Sequence, residues 1–103
     1  MNLAKNKTEM ARQRLMFQLF TDARINRDHI ILVAACIYLQ HIKSTPYFST
    51  SRRELMRLAH IRSPATYHRC IRQLVKFGYI TYHPSYHPVN GSQVAVIFPA
   101  SAQ

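Results

Sequence analysis

The stretch Arg62-Ser-Pro-Ala-Thr-Tyr-His-Arg-Cys-Ile-Arg-Gln-Leu-Val-Lys-Phe-Gly-Tyr-Ile80 predicts one helix that stops at a glycine and continues as a strand. At about 100° per residue, Tyr67, Cys70, Ile71, Leu74, Val75 and Phe77 fall on one half of the wheel. Arg62, Ala65, Thr66, Arg69, Arg72, Gln73 and Lys76 fall on the other. Ser63 can accept from the first free amides, Pro64 loses nothing at the first helical position, and Gly78 suits the exit after Lys76.

Working upstream, Ser51 and Glu54 have the spacing of a capping box, which opens a second helix. Leu55, Met56, Leu58 and Ala59 would face inward, with Arg53, Arg57 and His60 opposite. Arg52 and Arg53 stand in the first turn, where a cation opposes the helix dipole by roughly 0.3–1 kcal/mol. A locally unfavourable placement of this kind suits residues that grip an anion. His60-Ile61-Arg62 is a tight connection, so the two helices form a helix-turn-helix.

The flanks complete an α+β domain. Residues 28–43 predict an apolar core helix, with Ile30, Val33, Ala34, Ile37 and Tyr38 on one stripe and Ile31, Leu32, Ala35, Leu39 and Ile42 widening it. Ser44-Thr45-Pro46 ends it, and Tyr47-Phe48-Ser49 fits a very short strand. Residues 79–83 and 93–98 have strand composition, with Asn90-Gly91 available for the turn of a hairpin. Residues 1–7 read as a loose basic start and 8–20 as a helix of imperfect periodicity, which could pack on the domain, pair with a second copy or in part be extended. The expected division is an arm and helix over 1–25, a domain over 26–99 and a tail over 100–103.

Charge narrows the partners. The 103 residues carry a formal charge of +10, and all four acids (Glu9, Asp22, Asp28, Glu54) lie in the first 54 positions. Arg52, Arg53, Arg57, Arg62, Arg69, Arg72 and Lys76 face only Glu54 between positions 52 and 76, so over half the net charge sits in the two helices and their turn. One-signed charge repels itself, and such a concentration points to a polyanion, above all nucleic acid. The ten apolar residues from Ile30 to Leu39 are too few to span a bilayer, and the N-terminus has no signal-peptide core, so no membrane partner and a cytoplasmic location are expected. Cys36 and Cys70 sit among apolar residues and read as buried reduced thiols.

Chemistry is not expected. His83 and His87 are four apart but have no cysteine or carboxylate near them, so neither a metal nor any other cofactor is predicted. With no carboxylate after Glu54, acid–base pairs are scarce and the chain does not read as an enzyme. Tyr67 lies on the core face, and Tyr47, Tyr79, Tyr82 and Tyr86 flank or form the hairpin, which favours packing over base stacking.

Across residues 28–98 the chain resembles the winged helix-turn-helix superfamily of bacterial DNA-binding proteins. The matching pieces are Ser51-Arg-Arg-Glu-Leu-Met-Arg-Leu-Ala59, Ser63-Pro-Ala-Thr-Tyr-His-Arg-Cys-Ile-Arg-Gln-Leu74, and Phe77-Gly-Tyr-Ile80 leading into the wing. Ser63, Thr66 and Arg69 followed by Leu74 are similar to the pattern of GntR-like and MarR-like regulators. Small size and basic charge also resemble accessory proteins of mobile elements, including excision factors. The resemblance implies a three-helix core, a C-terminal hairpin wing and an extra N-terminal helix. It implies binding of double-stranded DNA with sequence preference, by a small transcriptional regulator or a recombination accessory factor. The helix over 63–77 would enter the major groove, with Ala65, Thr66, Arg69, Arg72 and Gln73 at base edges. Arg52, Arg53, Arg57, Arg62, Ser63, His68 and Lys76 would meet phosphates. Apart from the resemblance, residues 8–20 offer a surface for a homodimer or for cooperative assembly on DNA. The wing departs from the family pattern: residues 84–92 hold no Lys or Arg, leaving His83, His87 and Asn90 as its candidates. The alternative reading is a module that binds RNA or a protein partner without sequence readout.

Overall fold

The computed structural model describes residues 3–84 and 91–99. Seven elements follow one another: α1 (Leu3–Thr21), α2 (Arg27–Ile42), β1 (Phe48–Thr50), α3 (Arg52–Ala59), α4 (Pro64–Lys76), β2 (Ile80–His83) and β3 (Ser92–Val96). The described residues divide into two compact units, one within 27–97 and the other of 3–26 with 98–99.

In the larger unit the three strands form one antiparallel sheet in the order β1-β3-β2. Phe48 pairs with Val94 and Thr50 with Ser92 on one side of β3, while Ile80 pairs with Val96 and His83 with Gln93 on the other. The sequence predicted the hairpin and the short strand, but not that the short strand would join the hairpin. β3 also ends at Val96 instead of reaching Phe98. The core gathers Leu32, Val33, Cys36, Leu39, Phe48, Leu55, Tyr67, Leu74, Tyr79, Ile80 and Val94, all buried. Each large side chain of this kind contributes roughly 1.5–3 kcal/mol by leaving water. Gln40 of α2 helps seat the sheet, its Oε1 accepting from the Val96 amide at 3.4 Å.

Two helix ends turn the chain in the same way. After α4, the Gly78 amide donates to the Val75 carbonyl at 3.1 Å and the Tyr79 amide to the Leu74 carbonyl at 2.9 Å, with Gly78 at φ +84°. This is a Schellman motif, and the two buried side chains it brings together, Leu74 and Tyr79, complete it. After α3, His60 at φ +58° does the same job without being glycine: its amide donates to Arg57 and that of Ile61 to Met56. That left-handed residue makes the sharp turn into α4.

Two helices differ from expectation. α1 begins at Leu3, so residues 3–7 belong to the helix and not to a loose basic start; the segment is rich in good helix formers and has neither Gly nor Pro. In α2 the buried residues are His29, Leu32, Val33, Ala35, Cys36 and Leu39, while Ala34 and Tyr38 are exposed. Of the predicted stripe, Val33 is buried and Ile30 and Ile37 are half-buried, so only its Ala34 and Tyr38 edge faces outward. A helix apolar on nearly every side offers no amphipathic contrast from which to choose its inner face.

Candidate nucleic-acid interface

The exposed surface of α3, the turn and α4 is cationic because its apolar residues are needed elsewhere. In α4, Tyr67, Cys70, Ile71 and Leu74 are buried, leaving Ala65, His68, Arg69, Arg72 and Lys76 in solvent. In α3, Leu55 and Ala59 are buried and Arg52, Arg53 and Arg57 are exposed, as is Arg62 in the turn. Ser51 caps α3 by accepting from the Glu54 amide at 3.0 Å, and Ser63 caps α4 by accepting from the Thr66 amide at 3.3 Å. Pro64 stands in the first turn of α4, as its sequence position predicts.

The acid of this region is turned away from the arginines. Glu54 does not complete the predicted capping box; its Oε1 instead accepts from the Thr50 hydroxyl at 2.7 Å and lies 3.6 Å from Lys43 Nζ. A β-strand hydroxyl and Lys43, just past the end of α2, engage the carboxylate instead. Among the described residues, no ion pair therefore engages Arg52, Arg53, Arg57, Arg62, Arg69, Arg72 or Lys76. All seven are exposed.

Arg52 and His68 link the two helices, with Nη1 3.4 Å from Nε2. A guanidinium can only donate, so His68 Nε2 is the acceptor in this contact. Tyr67 presses edge-on to the same ring at 5.3 Å between centroids. Burial pushes the Tyr67 phenol far above its ordinary range, with the neighbouring Tyr82 adding to the effect. It is a core residue and offers no face for base stacking. Burial also raises Cys70, with Asp28 nearby as a second cause. Both thiols are buried and free, as the sequence predicts.

Three placements correct the wheel. Gln73, expected on the outer face, is half-buried, and its Oε1 accepts from Nε2 of the buried His29 at 2.7 Å. The ring of His29 meets Phe77 edge-on, with centroids 6.3 Å apart. Gln73 thus ties α4 to α2 through its Oε1. Val75, assigned to the core face, is 42% exposed. Thr66 is half-buried at the edge of the outer face. His29 was not singled out in the sequence, because a lone histidine at the start of an apolar helix carries no signal of its partner.

Of the wing candidates, His83 is exposed at the end of β2; His87 and Asn90 lie outside the described residues. No group of three metal-ligating side chains occurs among the described residues, and no described helix is long and apolar enough to cross a membrane. Comparison with known protein families, with curated proteins and with solved structures gave no match for this chain. The surface thus holds hydrogen-bond donors in quantity, fixed on two capped helices and without an ion pair among the described residues, although Asp28 lines a hollow beside Arg62, Ser63 and Thr66.

Proposed function

We propose that the protein binds double-stranded DNA as a winged helix-turn-helix domain, with α4 in the major groove. The observation that carries this reading is the set of seven exposed cations on α3, the turn and α4, none of them ion-paired among the described residues. Four helices with a small antiparallel sheet are compatible with such a domain, β2 and β3 standing as the wing.

Arg69 and Arg72 project from the middle of α4, where a guanidinium donating two bonds to guanine is the commonest specific contact. Ala65 and Thr66, near its start, suit a thymine methyl. Arg52, Arg53, Arg57, Arg62 and Lys76 would hold phosphates and set the register, with His68 and Ser63 beside them. Gln73 would stand at the edge of the base readers, its Oε1 already held by His29. The protein would act by occupying or bending a site, as a small transcriptional regulator or a recombination accessory factor, and a bend-sensitive assay separates the two.

The test is selection of bound duplexes from a random library near physiological salt, followed by Arg69→Ala on the selected site. A selected motif is expected, and the substitution should weaken it by about 1–3 kcal/mol while leaving non-specific binding within a few tenths. Equal losses on both would remove Arg69 as a base reader. No selected motif, together with equal competition by duplex RNA, would replace the reading with RNA binding through shape and charge.

A further inference from the structure

The two most exposed large apolar side chains of the described molecule, Phe17 at 70% and Phe20 at 67%, stand on α1 with Met10 at 49%. They are not scattered. Met10 and Phe17 are seven apart, and Phe20 lies seven after Gln13, which is exposed between them. These are the a and d positions of a heptad, Met10 (a), Gln13 (d), Phe17 (a), Phe20 (d), and the same count backwards places Leu3 at a and Asn6 at d. The buried residues of α1, Leu15 and Leu19, fall at f and c on the opposite side. α1 thus has two apolar faces, which is why its sequence shows no single period.

A seam of this spacing fits another helix bearing the same seam. We infer that α1 pairs in parallel with α1 of a second copy of this chain, in a short two-stranded coiled coil. Two further features support this partner and this direction. Met10, Gln13, Arg14 and Phe17 line a surface hollow. In heptad terms they are a, d, e and the following a, the four positions that form the hole for a d knob in a parallel pair, which here is Gln13 of the other copy. The charges also match: Glu9 is at g and Arg14 five residues on at e, the relation that brings opposite charges together between parallel strands. An antiparallel pair would set Arg14 against Arg14 and leave Glu9 without a cation. Gln13, polar at d, would favour a defined register over larger assemblies.

In the absence of nucleic acid, the full chain should sediment as a dimer that dissociates on dilution. Phe17→Glu should weaken association roughly a hundredfold or more, with helical circular dichroism kept. Glu9→Arg and Arg14→Glu should each weaken it by about tenfold. An equimolar mixture of these two variants should recover dimers, because one copy then carries only cations and the other only carboxylates at the two exchanged positions, so both contacts between the strands join opposite charges. That recovery cannot come from misfolded chains. A wild-type monomer at every concentration would overturn the proposal. So would a dimer indifferent to Phe17→Glu, or one that Glu9→Arg leaves unchanged. None of these outcomes depends on whether α4 binds DNA.

Discussion

At the scale of single residues, the backbone tells more than the charges. His60 occupies a left-handed conformation at φ +58° that costs an L residue roughly 1–2 kcal/mol. His60→Gly is therefore expected to raise stability by about 1 kcal/mol, less whatever glycine adds to the freedom of the unfolded chain, and thermal unfolding measures it. The two glycines make a contrasting pair. A methyl at Gly78 would meet nothing within 4 Å, so Gly78→Ala should cost only the conformational penalty, about 1 kcal/mol. A methyl at Gly91 would lie 2.7 Å from the Thr50 carbonyl oxygen, so Gly91→Ala must also push β1 and should cost about 2–3 kcal/mol. Similar losses for the two alanine variants would show that β1 yields freely. Of these residues, Gly78 was legible in the sequence because a helix pattern ended there. His60 was not, since nothing in its type announces a positive φ, and His29 and Gln73 found each other only across 44 positions.

At the scale of elements, α3 and α4 were the most legible parts of the chain. Each has a serine cap at its start and one apolar half, so local preference and burial agree. α2 was legible as a helix but not as an oriented one. Its inner face is chosen by what packs on it, and that information lies in β3, α3 and α4. The candidate interface follows the same division. Its exposed arginines were readable from the wheel, but the departure of Gln73 depends on a histidine from another helix. The capping box at Ser51 was half right, because a strand hydroxyl and Lys43 draw the carboxylate away.

At the scale of the whole molecule, the proposed binding should be governed by salt. About five phosphate contacts correspond to a slope of roughly −4 to −5 in log affinity against log salt. A slope near −1 on duplex DNA would mean that the cationic helices do not hold the backbone. Stability should in turn depend on alkali. Burial pushes the Cys36 thiol from 9.0 up to about 12, and it raises Cys70 and Tyr67 as well. The unfolded chain then releases its Cys36 proton at lower pH than the folded one, so stability is complete below pH 9 and falls as pH rises through about 12. Denaturation midpoints taken from pH 8 upward should decline across that window, and Cys36→Ala should flatten the decline.

The strand order has a consequence for how the chain comes together. β3 is last in sequence but central in the sheet, and among the described strands it is the only partner of both β1 and β2. While a ribosome is still adding residues before Ser92, β1 and β2 have no ladder to join, and Phe48 and Ile80 have no sheet to anchor them. The helices can begin to associate during synthesis, but the sheet must wait for its final strand. A nascent chain stalled ahead of that point should therefore be digested readily by protease, and one released a few residues after Val96 should resist.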